Sequence, residues 1–264
     1  MAVPPEGTPC WADATFSDVE GAERFYSDVL GWTFSEASTE FGDYTEAYAG
    51  GKAVAALVPP MPGQEGPSQW CLYFAVEDAA ATAVRIRDGG GELLMEPMGI
   101  GDFGTMCLAR DPGGVVFGLW QAGTHEGFGA TAVPGAYCWA EILTREPEKS
   151  DAFFPAVFPY RSKRLEGETD FRVYDLGERS VLGRMRMTDD FPPEAPPYIN
   201  VYFAVADCDE AVTRATERGG VLRSGPVDTP FGRFAAIGDP QGADFSVIDI
   251  TTTVGEAPGT TGAT

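Results

Sequence analysis

The chain repeats itself, and the repeat limits what it can fold into. CWADATFSDVEGAERFYSDVLGW (10–32) returns as CWAEILTREPEKSDAFFPAVFPY (138–160), 128 residues later. YFAVEDAAATAVRIRDGGG (73–91) returns as YFAVADCDEAVTRATERGG (202–220) after 129 residues. FGTMCLARDPGGVVFGLW (103–120) returns as FGRFAAIGDPQGADFSVI (231–248) after 128. Three segments that recur in one order at one spacing mark a tandem duplication. The 264 residues therefore divide into two like modules, 8–121 and 136–250. Residues 122–135, AGTHEGFGATAVPG, are Gly-rich and aperiodic and form the expected linker. The tail 251–264, TTTVGEAPGTTGAT, is expected to be disordered.

Each module has an inner rhythm. WADATF is a short strand, and Ser17 or Asp18 then opens a helix with Ala22, Phe25, Tyr26 and Val29 on one face. Strands are expected near 31–36, 44–49 and 53–58. The order then recurs, with a strand at 70–76, a helix at 78–89 closed by Gly89-Gly90-Gly91, and strands near 92–96, 104–110 and 114–120. Asp111-Pro112-Gly113-Gly114 suits a hairpin turn between the last two. Each half-module is thus βαβββ. The fold class is α+β, with four such units in two modules.

Forty acidic against 18 basic residues give a net charge of −22, which argues against nucleic acid and anionic membrane surfaces as partners. No apolar run approaches the roughly 20 residues of a membrane-spanning helix, and no signal peptide is visible. Cys10, Cys71, Cys107, Cys138 and Cys208 are odd in number and lack C-x-x-C spacing, so reduced thiols in a cytoplasmic protein are expected.

Paired βαβββ units, FYSDVLGW, FAVED and ARDPGGVVFGLWQ together resemble the vicinal oxygen chelate superfamily, which includes glyoxalase I, extradiol dioxygenases and bleomycin-resistance proteins. The chain looks most like its two-module actinobacterial members, glyoxalase-like proteins or hydroxylase-type proteins. The resemblance implies that the strands of two units curl into a cup holding a ligand. It also implies that the two modules pair within the chain, an arrangement compatible with a monomer. Metal enzymes of the family carry His or Glu at set points on the cup wall. The matching positions here are Trp11, the stretch 55–57, Cys71 and Gly118, then Trp139, the stretch 183–185, Asn200 and Ser246. None is His or Glu, so neither a metal nor any other cofactor is expected. The only histidine, His125, lies in the linker and is expected at the surface.

Side-chain alternation places Trp11, Asp13, Cys71, Tyr73 and Trp120 in the first cup, and Trp139, Glu141, Asn200, Tyr202 and Ser246 in the second. The tryptophans either fill the space of a lost metal or form a stacking wall for a flat apolar ligand. Asp13 and Glu141 are the acid–base candidates, because a carboxylate among apolar rings has a raised pKa; the alternative is a rim carboxylate paired with arginine. Arg184 and Arg186 are expected to reach Glu141 or an anionic ligand group. Cys71 has no base beside it and is expected to be inert. The Gly-rich 98–104 is expected to be a loop at the cup lip. Two functions stand: a metal-independent protein that encloses a hydrophobic or aromatic small molecule, as in antibiotic resistance by sequestration, or an enzyme of the same superfamily with a cofactor-free or displaced metal site.

Overall fold

The computed structural model describes residues 3–60, 66–167, 169–254 and 260–262. The first unit is β1 (Pro9–Thr15), α1 (Val19–Leu30), β2 (Thr33–Phe34), β3 (Thr45–Ala49) and β4 (Lys52–Val58). The second is β5 (Trp70–Ala75), α2 (Ala79–Asp88), β6 (Glu92–Ile100), β7 (Gly104–Arg110) and β8 (Val116–Ala122). The third is β9 (Tyr137–Thr144), α3 (Pro147–Val157), β10 (Arg161–Leu165), β11 (Phe171–Leu176) and β12 (Arg179–Arg186). The fourth is β13 (Tyr198–Ala204), α4 (Cys208–Glu217), β14 (Val221–Thr229), β15 (Gly232–Gly238) and β16 (Asp244–Asp249). The tail adds β17 (Thr260–Gly262), antiparallel to β10, where a disordered segment was expected. Residues 255–259, 263 and 264, on which the same expectation falls, lie outside the described residues.

Local chemistry explains the helices. Asp18 accepts a hydrogen bond from Gly21 N at 2.8 Å, and Gly31 ends α1 in the left-handed region at φ 72°. Asp78 and Asp207 cap α2 and α4 in the same way, as the repeat requires. The third helix lacks a side-chain cap and is opened by Pro147, whose missing N–H costs nothing in a first turn. The Gly-rich 98–104 differs from expectation: β6 continues through its first part to Ile100, and the turn is confined to 101–103.

Each module is one curled sheet. The first runs β2-β3-β4-β1-β5-β8-β7-β6, and the second β14-β15-β16-β13-β9-β12-β11-β10-β17. The two units of each module join through an antiparallel central pair, β1 with β5 and β9 with β13. One sheet face carries Ala12, Ala14, Leu72 and Phe74, all buried, towards the helices and the other module. The opposite face lines the cup.

The modules pack through two aromatic clusters. Tyr26 stacks on Trp32 with centroids 5.3 Å apart, and Trp32 and Trp70 meet Phe203 of the second module edge to face. Phe153 and Phe154 of α3 pack on Phe117 of the first sheet. Two aspartates tie these clusters down. Oδ1 of Asp111 accepts from Gly113 N and Val115 N, holding its own hairpin turn, while Oδ2 accepts from the Ser150 hydroxyl of α3 at 2.6 Å. Asp239 does the same in reverse: Oδ1 holds Gln241 N and Ala243 N, and Oδ2 accepts from the Tyr26 hydroxyl of α1 at 2.9 Å. The Tyr26 oxygen also accepts from the Trp70 indole N–H at 3.1 Å. Tyr26→Phe leaves that buried donor and one Asp239 oxygen without their partner. It should lower unfolding stability by about 1–3 kcal/mol in denaturant titration, with one cooperative transition for both modules.

Candidate functional site

The floor of the first cup is built by strand alternation. Trp11 and Asp13 project from β1 on the face opposite Ala12 and Ala14. Across the sheet Trp11 stands opposite Tyr73, Asp13 opposite Cys71, and Tyr73 beside Gly118. The Tyr73 ring lies directly over Gly118, where a Cβ would come within 2.1 Å of it, so only glycine permits this approach. The Trp11 indole N–H donates to the Tyr44 hydroxyl at 2.6 Å. Burial pushes Asp13 up to about 7, against a hydrogen bond from Tyr73 that pulls it down. Burial, and then the Asp13 charge, push the Cys71 thiol well above its usual range, which disfavours the nucleophilic thiolate.

The linker forms one wall of this cup. Its backbone is strapped across the module by Gly123 N to Phe103 O at 2.8 Å, Phe128 N to Cys10 O at 2.7 Å and Gly129 N to Ala53 O at 2.7 Å. The Trp120 indole donates to the His125 carbonyl at 2.8 Å. The His125 ring consequently stands edge-on to Trp11, 4.5 Å between centroids, and 5.6 Å from Trp120. Its Nε2 is buried without a hydrogen-bond partner, and burial lowers its pKa. The surface position expected for His125 is thus corrected. Nothing in the linker's own sequence signals the contact, because Trp120 and the crossing backbone create it.

The second cup repeats the register with different chemistry. Trp139 faces Tyr202, and Glu141 faces Asn200 and Gly183. The Tyr202 hydroxyl donates to Glu141 Oε2 at 2.8 Å, and the Trp139 indole to Oε1 at 3.3 Å. Asn200 donates to Ser246 Oγ at 2.8 Å. Burial raises the Glu141 pKa, and the two donors oppose it. A Cβ on Gly183 would lie 2.9 Å from Glu141 Cγ and 2.8 Å from the Phe171 ring, so glycine makes room for the longer carboxylate and the ring.

Arg184 does not join this group. As the neighbour of cup-facing Gly183 it points to the other face. Its Nε and Nη2 clasp Asp151 at 2.9 and 2.6 Å, and Nη1 donates to the Asp170 carbonyl at 2.9 Å. Arg186 is likewise spent on Asp170 and Glu148. Both arginines anchor α3 instead of reaching Glu141. The sequence also gave no weight to Tyr44, Phe128 and Phe171, whose cup roles depend on neighbouring strands. Tyr44, one residue before β3, was legible in principle by extending that strand's period-two pattern.

The residues at the family's metal positions do not fit a metal. Trp11, Ala56, Gly118, Trp139 and Gly183 offer no side-chain ligand, burial keeps the Cys71 thiol protonated, and Asn200 and Ser246 are neutral side chains hydrogen-bonded to one another. Among the described residues no three His, Cys, Asp or Glu side chains converge as a metal site.

A model of the Glyoxalase/Bleomycin resistance protein/Dioxygenase superfamily matches residues 11–119. The chain is 38% identical over 250 residues to the Mycobacterium tuberculosis protein named "Putative glyoxylase CFP32", covering 92% of this chain and 95% of that one. It is 37% identical over 260 residues to the anthracycline biosynthesis protein DnrV of Streptomyces peucetius, covering 92% and 94%. The fold is similar to that of the 2,3-dioxygenase LapB from Pseudomonas sp. KL28, with TM-score 0.66, 13% identity and coverage of 98% and 95%. It is also similar to a Mn(II)-bound glyoxalase from Novosphingobium aromaticivorans, with TM-score 0.65, 16% identity and coverage of 94% and 86%.

Asp13 should mark the stability of the protein with pH. Its folded pKa lies above its unfolded one, so between about pH 4 and 7 the folded state binds the extra proton. Stability contributed by Asp13 is present below that window and lost as pH rises through it. The groups facing it, Tyr73, Tyr44 and Cys71, all have pKa values pushed up and stay neutral there. Asp13→Asn should flatten the fall in unfolding midpoint between about pH 4 and 7, measured by thermal melts against the native chain.

Proposed function

The chain belongs to the glyoxalase/bleomycin resistance protein/dioxygenase superfamily, and on that premise we propose that it is a metal-independent binding protein whose cup encloses a hydrophobic or aromatic small molecule. One observation carries this reading: where family enzymes hold a metal, this chain sets aromatic rings in register, Trp11 against Tyr73 and Trp139 against Tyr202. Flat rings recognise flat rings. Each stacked pair contributes about 0.5–1.5 kcal/mol beyond the area buried, at roughly 25 cal/mol per Å² of apolar surface before binding costs. The relatives named for anthracycline biosynthesis support a polycyclic aromatic ligand, held in the cytoplasm as a natural product sequestered from its targets.

A second reading rests on Asp13. A carboxyl held near neutrality is matched to general acid–base work, so the same cup suits a cofactor-free enzyme. Recovery of a bound compound unchanged after incubation favours binding alone, and its conversion favours catalysis.

Titration with a polycyclic quinone should quench the intrinsic tryptophan fluorescence. Trp11→Ala or Trp139→Ala, whichever belongs to the occupied cup, should weaken binding about tenfold, the equivalent of about 1.4 kcal/mol. Affinity unchanged in both variants, with folding intact, would show that the tryptophans only fill the core. Elemental analysis of chelator-free protein should give well under one equivalent of Zn, Fe, Ni or Mn, and a full equivalent lost on changing Asp13 or Glu141 would reverse the metal-independent reading.

A further inference from the structure

Duplication gave both cups the same frame, so their differences are informative. The register that places Glu46 opposite Ala56, and Ala56 opposite Asp13, places Val173 opposite Gly183, and Gly183 opposite Glu141. Two residues earlier on the outer strand, Tyr44 therefore corresponds to Phe171. The pair differs by a single hydroxyl, and the neighbouring tryptophans have different acceptors. In the second cup no hydroxyl is offered by Phe171, and the Trp139 indole donates to Glu141. In the first, Tyr44 takes the Trp11 indole N–H, and Asp13 does not receive it.

The consequence is an imbalance between two otherwise matched sites. Both oxygens of Glu141 have a donor within the protein, and Asn200 donates to Ser246. Asp13 has Tyr73 as its hydrogen-bonding partner and no second donor among the described residues. His125 Nε2, against the rings of Trp11 and Trp120, is also without a partner. Leaving a buried atom such as His125 Nε2 unmatched in an apolar site is costly, and a carboxylate with one donor keeps the capacity to accept from a second. The walls say what carries the matching group. Trp120 stands opposite Met106, and Gly118 opposite Leu108, so partly buried apolar side chains continue the aromatic floor along β7.

We propose that the first cup is the working site and that Asp13 recognises its ligand by accepting a hydrogen bond from a phenolic hydroxyl on a flat aromatic ring. This rests on the reading of the chain as an aromatic-binding protein. It adds which cup is used and which functional group is selected. In the second cup the carboxylate already holds two donors, so the selection falls to the first.

The probes are 2-hydroxyanthraquinone and anthraquinone, which differ by one hydroxyl, titrated by fluorescence into the full chain. The native protein should bind the hydroxylated compound at least tenfold more tightly. Asp13→Ala should abolish that preference, and Glu141→Gln should preserve it. Tyr44→Phe, a milder change, should release the Trp11 N–H to Asp13, as in the second cup, and reduce the preference several-fold. Circular dichroism checks that each variant is folded; if Asp13→Ala is not, Tyr44→Phe decides. A preference that survives the folded variants, or one lost in Glu141→Gln instead, overturns the assignment to Asp13 and leaves aromatic binding intact. Failure of the native chain to bind either quinone overturns both readings.

Discussion

The two turn aspartates are the constraint on which the rest of the structure depends. Asp111 and Asp239 each spend one oxygen on the backbone of their own Asp-Pro hairpin and the other on a helix of the opposite module. A buried carboxylate needs several donors to offset its lost hydration, and neither module supplies all of them alone. Shaping the hairpin and docking the modules are therefore one act. The phenylalanines and tryptophans around these bonds fill the space between the sheets and exclude water, which strengthens each bond in return.

With the helical faces committed to that interface, the opposite sheet faces are left to form cups. What lies in them follows from parity along β1 and β9. Every second residue faces the cup, so Trp11 and Asp13 arrive together, as do Trp139 and Glu141, and the central antiparallel pairing brings Tyr73 and Tyr202 across from them. Each cup thus holds a carboxylate, a tyrosine and a tryptophan on one floor. The glycines beneath are part of this arrangement: Gly118 lies under Tyr73, and Gly183 leaves space for Glu141 and Phe171. Aromatic rings and a hydrogen-bonded carboxylate make up each floor.

The contrast between the cups shows how small a change redirects such a floor. Where Tyr44 offers a hydroxyl the Trp11 indole N–H goes to it, and where Phe171 offers none the Trp139 N–H goes to the carboxylate. Glu141, one methylene longer than Asp13, accepts from Trp139 on its own strand and from Tyr202 across the sheet. Neither difference alters the fold, because both lie on the cup face, away from the packed helices and the turn aspartates.

The sequence by itself determined the duplication, the four βαβββ units, the opening of the first helix at Ser17 or Asp18, and which residues of β1 and β9 share a face. All of these rest on local chemistry or on period-two alternation, which short stretches of chain carry within them. Tertiary structure decided the rest. Arg184 was expected beside Glu141, yet it sits one residue out of phase, and only the strand register shows that it faces α3 and Asp151. His125 was expected at the surface, yet the linker is strapped across the first cup by bonds to Phe103, Cys10 and Ala53, residues far apart in the chain. A side chain's face follows from its own strand; its partners follow from which distant segments the fold lays beside it, and that is settled only when the whole core closes.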